Sequence, residues 1–363
     1  MILNKQPIKL KKAKAWRTYL GGSLLRELQG DANTKDDHFP EEWIMSLVSA
    51  RNAGREDILD EGLSYVETDE KLSLKDLILT NPEEYLGKAF VEKYGNTTGV
   101  LIKLIDSYER LSVQVHPDRE KAKKLFHSAF GKTECWHVLG GRRINNDDPC
   151  IYLGFKEGIT QEKWKALFDV QDIQGMLDCM HKIYVKQGET YLINSGVPHA
   201  IGAGCFLAEI QEPTDYTIRV EKITESGLKI DDRMCHQGIG FIKMFECFHY
   251  DGLTYQQAID RWSVKKKTID KTDCAIYESL IDYEETEMFA LYGLKVESGD
   301  YTLNLTDVFS GIYVLEGTCV MECGNHTYEL NKSDQYFIPA GCENIKFKNS
   351  DNLRILHFFG PKI

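Results

Sequence analysis

At 363 residues, with 42% hydrophobic and 28% charged side chains, the chain has an ordinary globular composition and is long enough for two compact units. A net charge of −12 argues against general nucleic-acid binding, which needs clustered Lys and Arg against the phosphates. No run of about 18 apolar residues is present to span a membrane, and the basic stretch Met1 to Trp16 lacks the apolar centre of a secretory signal. A soluble cytoplasmic chain is expected, with its ten cysteines, none in a CxxC pair, as reduced core thiols.

In chain order, residues 1–60 are mixed, with a short helix or turn at Ser23 to Leu28 and a strand within Glu41 to Val48. Two helices are expected at Ser73 to Leu79 and Asn81 to Tyr94, the second with Asn81 as N-cap and Pro82 in its first position. Thr98 to Ser107 reads as a buried strand broken only by Lys103, a pattern that a snorkelling lysine also gives. Next come Gln114-Val115-His116, strand-like, and a helix over Asp118 to Ala129 with apolar residues at i, i+3, i+4 and i+7.

Strands Trp136 to Leu139 and Cys150 to Phe155 flank a polar hairpin, and two helices follow, the first capped by Thr160. The strand ending at Ile193 leads into Gly196-Val197-Pro198-His199, and further strands are expected at Phe206 to Ile210 and Tyr216 to Val220. Glu221 to Thr268 reads as a linker containing one helix, Tyr255 to Trp262. Beyond it, eight short strands punctuated by Gly and Asn argue for an antiparallel sandwich or jelly roll. The expected fold is mainly β: two cupin-like jelly-roll barrels with short helical insertions, a metal-binding unit over 1–268 and a metal-free one over 269–363.

Side chains two apart on a strand share a face, so Gln114 and His116 can reach one point. Glu134, on the next strand, adds a carboxylate, and His199, held after a proline turn, adds a second imidazole. A histidine or glutamate taken singly is more often structural. On successive strands of a small barrel their inward faces meet, and the set reads as a metal site. Glu209 and Gln211 share one face and Thr217 and Arg219 another. An inward Arg219 is costly unless paired or functional, with Asp215 as its nearest candidate partner.

The segments LSVQVHPD, GKTECW, PHAIGAG and EIQEPTDYTIR, in this order between about Val100 and Arg219, resemble the signatures of the type I mannose-6-phosphate isomerases, zinc enzymes of the cupin superfamily. The resemblance implies one zinc ion per chain on Gln114, His116, Glu134 and His199, and a catalytic Arg219. It implies a sugar-phosphate pocket lined by Lys103, Ser112 and Lys132, and a hexose 6-phosphate substrate isomerised through a metal-stabilised cis-enediol. Glu209, Lys132 or a metal-bound water are all open as the base. The chain departs from the family at Thr214-Asp215 for Ser-Asp, Ile218 for an aromatic, Arg119 for Asp, and Glu41-Glu42-Trp43-Ile44 for Glu-Ser-Trp-Glu. An iron-dependent cupin oxygenase and a non-catalytic sugar-binding or regulatory cupin are the alternatives.

Overall fold

Strands pair antiparallel in three sheets of eight, five and seven strands in this computed structural model, which describes residues 4–363 except 53, 56, 69 and 306. Met1 to Leu3, the start of the basic N-terminal stretch, lie outside the described residues. The seven-stranded sheet runs Ser263–Val264, Thr190–Ile193, Glu134–Gly141, Cys205–Gln211, Leu101–Asp106, Glu41–Ile44, Ala13–Ala15. The five-stranded sheet runs Ile218–Arg219, Gln114–Val115, His199–Ile201, Cys150–Phe155, Met180–Tyr184.

The near-continuous apolar run around Lys103 follows from where its strand sits. All six residues of Leu101–Asp106 are buried. One face puts Ile102 and Leu104 into a core shared with Leu291, Tyr313 and Phe337 of the C-terminal sheet. The other turns Ile105 toward Trp136, Ile151 and Ile201, in a core that the five- and seven-stranded sheets share. A strand covered on both faces has no solvent side on which to alternate. The outer face of the five-stranded sheet packs Val113 and Val115 against helix Gln161–Asp169, through Trp164 and Phe168.

Several expectations change in the folded chain. Glu134–Gly141 and Cys150–Phe155 do not form a hairpin but belong to different sheets, so the polar loop between them crosses the sandwich. The stretch read as a linker is part of the fold: helices Asp232–His236 and Phe241–Met244 lie in it, and Met244, with Phe245, Cys247 and Phe248 after it, is buried in the core over the five-stranded sheet. Asn81 makes no side-chain cap, and Gly87, at φ +94°, divides the expected second helix into Pro82–Leu86 and Lys88–Tyr94.

The C-terminal strands are longer than their punctuation implied: Ala290–Asn304, Ser310–Cys323 and Asn344–Phe359. Each absorbs its glycine or asparagine interruption as a register shift rather than a break, as between Gly299 and Tyr301. From the other end of the chain, Ile8–Lys9 adds a strand to this C-terminal sheet, with Ile8 opposite Phe337. Contacts therefore cross the boundary expected between residues 268 and 269. All ten cysteines are free thiols, and among the described residues no helix is long and apolar enough to cross a membrane.

Candidate active site

Strand register builds the site. In the five-stranded sheet Gln114 lies between Arg219 on one side and His199 on the other, so the three form one row across neighbouring strands. His116 follows two residues after Gln114, while Val113 and Val115, in the alternate positions, enter the core behind. In the seven-stranded sheet the matching row is Trp43, Lys103, Glu209 and Trp136, and Glu134 stands opposite Gln211. Gln114 and Arg219 from one sheet, with Ser112 just before its strand, line a single cavity with Lys103, Glu209, Glu41 and Lys132.

Behind Lys132, His116, His199 and Glu134 converge with ligand-type atoms all within 4.8 Å of one another. The His199 and His116 Nε2 atoms are 3.1 Å apart. They lie 3.3 Å and 3.2 Å from the Glu134 Oε1 and Oε2 atoms respectively. His116 Nδ1–H donates to the Tyr216 carbonyl and His199 Nδ1–H to the Val197 carbonyl, both at 2.8 Å, which turns each Nε2 lone pair inward, toward the Lys132 ammonium and the Gln114 amide respectively.

Burial, then the Lys132 charge, pushes the His116 imidazole down to about 3, and burial lowers that of His199. Burial would raise the Glu134 carboxyl, but the Lys132 ammonium and the two imidazoles hold it well below the usual range. Among the described residues Glu134 Oε1 has no hydrogen-bond donor. Two imidazole lone pairs and a carboxylate at these separations fit a divalent cation, and the chemistry of the donors is that of a transition-metal site. Gln114 Nε2 lies 3.2 Å from His199 Nε2, and a half-turn of the amide exchanges its nitrogen for its oxygen. The Lys132 ammonium contacts Glu134 and stands 2.8 Å from His116 Nε2, so it borders both the cluster and the cavity.

Local structure fixes these groups. Gly196, at φ +86°, makes the turn before His199 and donates its N–H to the His116 carbonyl at 2.9 Å. A Cβ there would stand 2.5 Å from the His249 ring. The buried Glu212 carboxylate accepts N–H bonds from Gly131 and Thr133, on either side of Lys132, and pairs with Arg119 at 2.6 Å. Arg119, where the family pattern has an acid, thus helps anchor the segment that carries Lys132.

One expectation about partners fails. Asp215 does not pair with Arg219. It accepts a two-pronged bond from Arg17, at 2.8 and 3.1 Å, and a backbone N–H from Arg51 at 2.9 Å. Arg219 donates instead to the carbonyls of Thr217 and Met234, at 3.2 and 3.4 Å. Burial, then the nearby Arg17 charge, brings its guanidinium down to about 10. Glu209 is fully engaged, with one oxygen 2.8 Å from Lys103 Nζ and the other accepting from Trp136 Nε1 at 2.9 Å.

Arg17, Tyr19 and Glu41, all on the cavity wall, were not assigned functional roles from the sequence. Glu41 accepts from Arg17 Nε at 3.1 Å, Tyr19 at 2.7 Å and Trp43 Nε1 at 2.7 Å. Glu41 and Trp43 are two apart on one strand, the same spacing that singled out Gln114 and His116. That was the available signal.

The chain matches two family descriptions: "Phosphomannose isomerase type I, catalytic domain" over residues 60–133 and "Mannose-6-phosphate isomerase, cupin domain" over residues 279–356. A Bacillus subtilis protein described as a probable mannose-6-phosphate isomerase, GmuF, is 36% identical over 249 residues, covering 68% of this chain and 70% of the relative. The chain belongs to the type I mannose-6-phosphate isomerases. The mannose-6-phosphate isomerase of Streptococcus mutans is 29% identical over 266 residues, 70% of this chain and 74% of the relative. The crystal structure of the Bacillus subtilis mannose 6-phosphate isomerase superposes with a TM-score of 0.72 over 97% of this chain and 99% of that one. At 21% identity that likeness speaks for the fold. A variant of the Salmonella typhimurium phosphomannose isomerase, 14% identical, gives 0.70 over 98% of this chain and 99% of that one. Membership rests on the sequence relatives, and the antiparallel sandwich agrees with the mainly β expectation.

Proposed function

We propose that this chain interconverts mannose 6-phosphate and fructose 6-phosphate, using one zinc ion held by Gln114, His116, Glu134 and His199. The observation that carries the metal is the facing of lone pairs at 3.1–3.3 Å with both Nδ1 protons committed elsewhere. A tetrahedral ion with bonds of about 2.0–2.1 Å sets ligand atoms roughly 3.3–3.4 Å apart, which supports zinc. When bound, a divalent ion supplies Lewis-acid polarisation of a sugar carbonyl and its developing negative oxygen.

The rest falls to the chain. Isomerisation moves a proton between C2 and C1 through a cis-enediol, and negative charge grows on oxygen as it does so. Arg219 offers such an oxyanion a guanidinium that has no carboxylate partner among the described residues. Lys132 Nζ, at both the cluster and the cavity wall, is placed to hold or move the proton. Glu209, with both oxygens engaged, orients Lys103. Lys103, Lys132 and the Ser112 hydroxyl give the cavity donors for a phosphate dianion. Ten free thiols suit a reducing compartment, the cytoplasm.

The test is a coupled assay across several hexose 6-phosphates on protein of measured metal content. Turnover of mannose 6-phosphate that is lost on chelation and regained with zinc is expected. Equal turnover by metal-stripped protein would overturn the metal assignment, and a preference for another hexose phosphate would overturn the substrate.

A further inference from the structure

Three charged side chains from distant parts of the chain meet at one end of the cavity. Arg17 comes from the loop after strand Ala13–Ala15, Asp215 from the turn after Cys205–Gln211, and Arg219 from the edge strand of the five-stranded sheet. All three are buried. By sequence distance Asp215 belongs with Arg219, four residues away, yet both its oxygens turn to Arg17, 198 residues away. The Arg17 fork leaves little room for choice: Nη1 and Nη2 hold the two Asp215 oxygens while Nε holds Glu41. Among the described residues Arg219 forms no ion pair within 4.0 Å, and its recorded bonds go to carbonyl oxygens.

We propose that Arg17 is a positioning residue: its two-pronged grip on Asp215 keeps the Arg219 guanidinium free of a carboxylate and open to an anionic oxygen of the bound sugar phosphate. The physical reason is competition for a buried carboxylate. An aspartate out of water takes the best cationic donor within reach, and a planar fork matching both oxygens outbids a single-pronged contact. Without Arg17, Asp215 keeps the Arg51 N–H at 2.9 Å among the described residues, and Arg219, which already feels the Asp215 charge, becomes a guanidinium able to neutralise it, alongside the Lys103 ammonium. An Arg219 neutralised in the ground state has less attraction left for charge that develops during reaction. This inference rests on the role given to Arg219 above.

The experiment compares Arg17→Gln, Arg17→Gln/Asp215→Asn, Arg17→Lys and Arg219→Met, each as purified metal-loaded full chain. Metal content and thermal unfolding are recorded beside kcat and KM for mannose 6-phosphate. Arg17→Gln should lower kcat by at least tenfold with metal retained. Adding Asp215→Asn removes the competing carboxylate and should restore kcat to within about threefold of wild type. A clamp that mattered only for folding would recover unfolding temperature and kcat together in the double variant, whereas here kcat per metal-loaded folded chain should fall in Arg17→Gln and return with Asp215→Asn. Arg17→Lys keeps a cation beside Asp215 and should lose less than Arg17→Gln, which keeps the proposal testable should the Gln variant not fold. A double variant no faster than Arg17→Gln, or a Lys variant as slow as Arg219→Met, overturns the proposal. Unchanged kcat in Arg219→Met overturns the role of Arg219 itself, a separate result.

Discussion

Lys103 Nζ stands 2.8 Å from Glu209 Oε1 in register on adjacent strands, and both side chains are buried. Burial lowers the Lys103 ammonium, but Glu209 and then Glu41 more than offset it and raise it above its ordinary value. Lys103→Met should therefore destabilise the fold by roughly 3–5 kcal/mol, because it strands a buried carboxylate. The double variant Lys103→Met/Glu209→Gln should recover most of that loss in urea denaturation. Any phosphate contact by Lys103 then shows in the double variant, as a KM rise larger for the phosphorylated sugar than for its unphosphorylated counterpart.

Removing a cluster residue tests the metal. His116→Ala or Glu134→Ala should abolish bound metal and activity together, and full activity without metal would refute the assignment. Lys132→Met should keep the metal, since three nitrogen and oxygen donors remain convergent, while kcat falls at least a hundredfold if Nζ carries the proton. An unchanged kcat would remove Lys132 from the mechanism.

The metal cluster was legible in the sequence because it depends on local rules. Gln114 and His116 share a face by strand alternation, and His199 is delivered by a glycine–proline turn that can be read directly. The order of motifs did the rest. Arg17 was not legible, and the alternation of Glu41 with Trp43 marked a shared face but not what Glu41 would pair with. The importance of Arg17 and Glu41 comes from contacts spanning 198 and 24 residues, and no periodicity within either segment records a partner so far away. Asp215 was misassigned for the same reason, because proximity in sequence favours Arg219 and only the tertiary fold supplies Arg17. The linker reading failed on composition. Residues 221–268 are polar on average, yet a few apolar anchors, Met244, Phe245 and Phe248, are enough to bury their turn.

Gly196 can be tested against an internal control. Gly196→Ala combines a positive φ with a Cβ 2.5 Å from the His249 ring, and the His249 N–H is itself tied to the Gly196 carbonyl at 2.8 Å. The turn has little freedom to yield, so a cost of about 1–3 kcal/mol is expected. Metal affinity should fall roughly 10–100-fold, because Val197 in that turn orients His199. Gly188→Ala has φ +89° but nothing within 4 Å of the added Cβ, and it should leave metal affinity unchanged. Equal affinity in both variants, by competition with a chelating dye, would show that the turn does not orient His199.

Glu42 predicts a pH dependence away from the metal. Its side chain lies opposite Glu41 on the same strand and reaches the C-terminal sheet. It accepts from Gln29 at 2.6 Å, Gln335 at 2.9 Å and Tyr313 at 3.1 Å. Burial pushes its carboxyl up from 4.5 to about 7, against the opposing effect of the Gln29 and Tyr313 bonds. A raised carboxyl binds its proton more tightly when folded, so its contribution to stability is full below about pH 4.5 and is lost as pH rises toward 7. The loss is on the order of 3 kcal/mol at most, at 1.36 kcal/mol per unit. Glu42→Gln, uncharged at every pH, should flatten the fall in urea-unfolding free energy between pH 4.5 and 7 relative to wild type. An identical slope in the two proteins would mean that Glu42 is already ionised in the native state and that its three donors outweigh its burial.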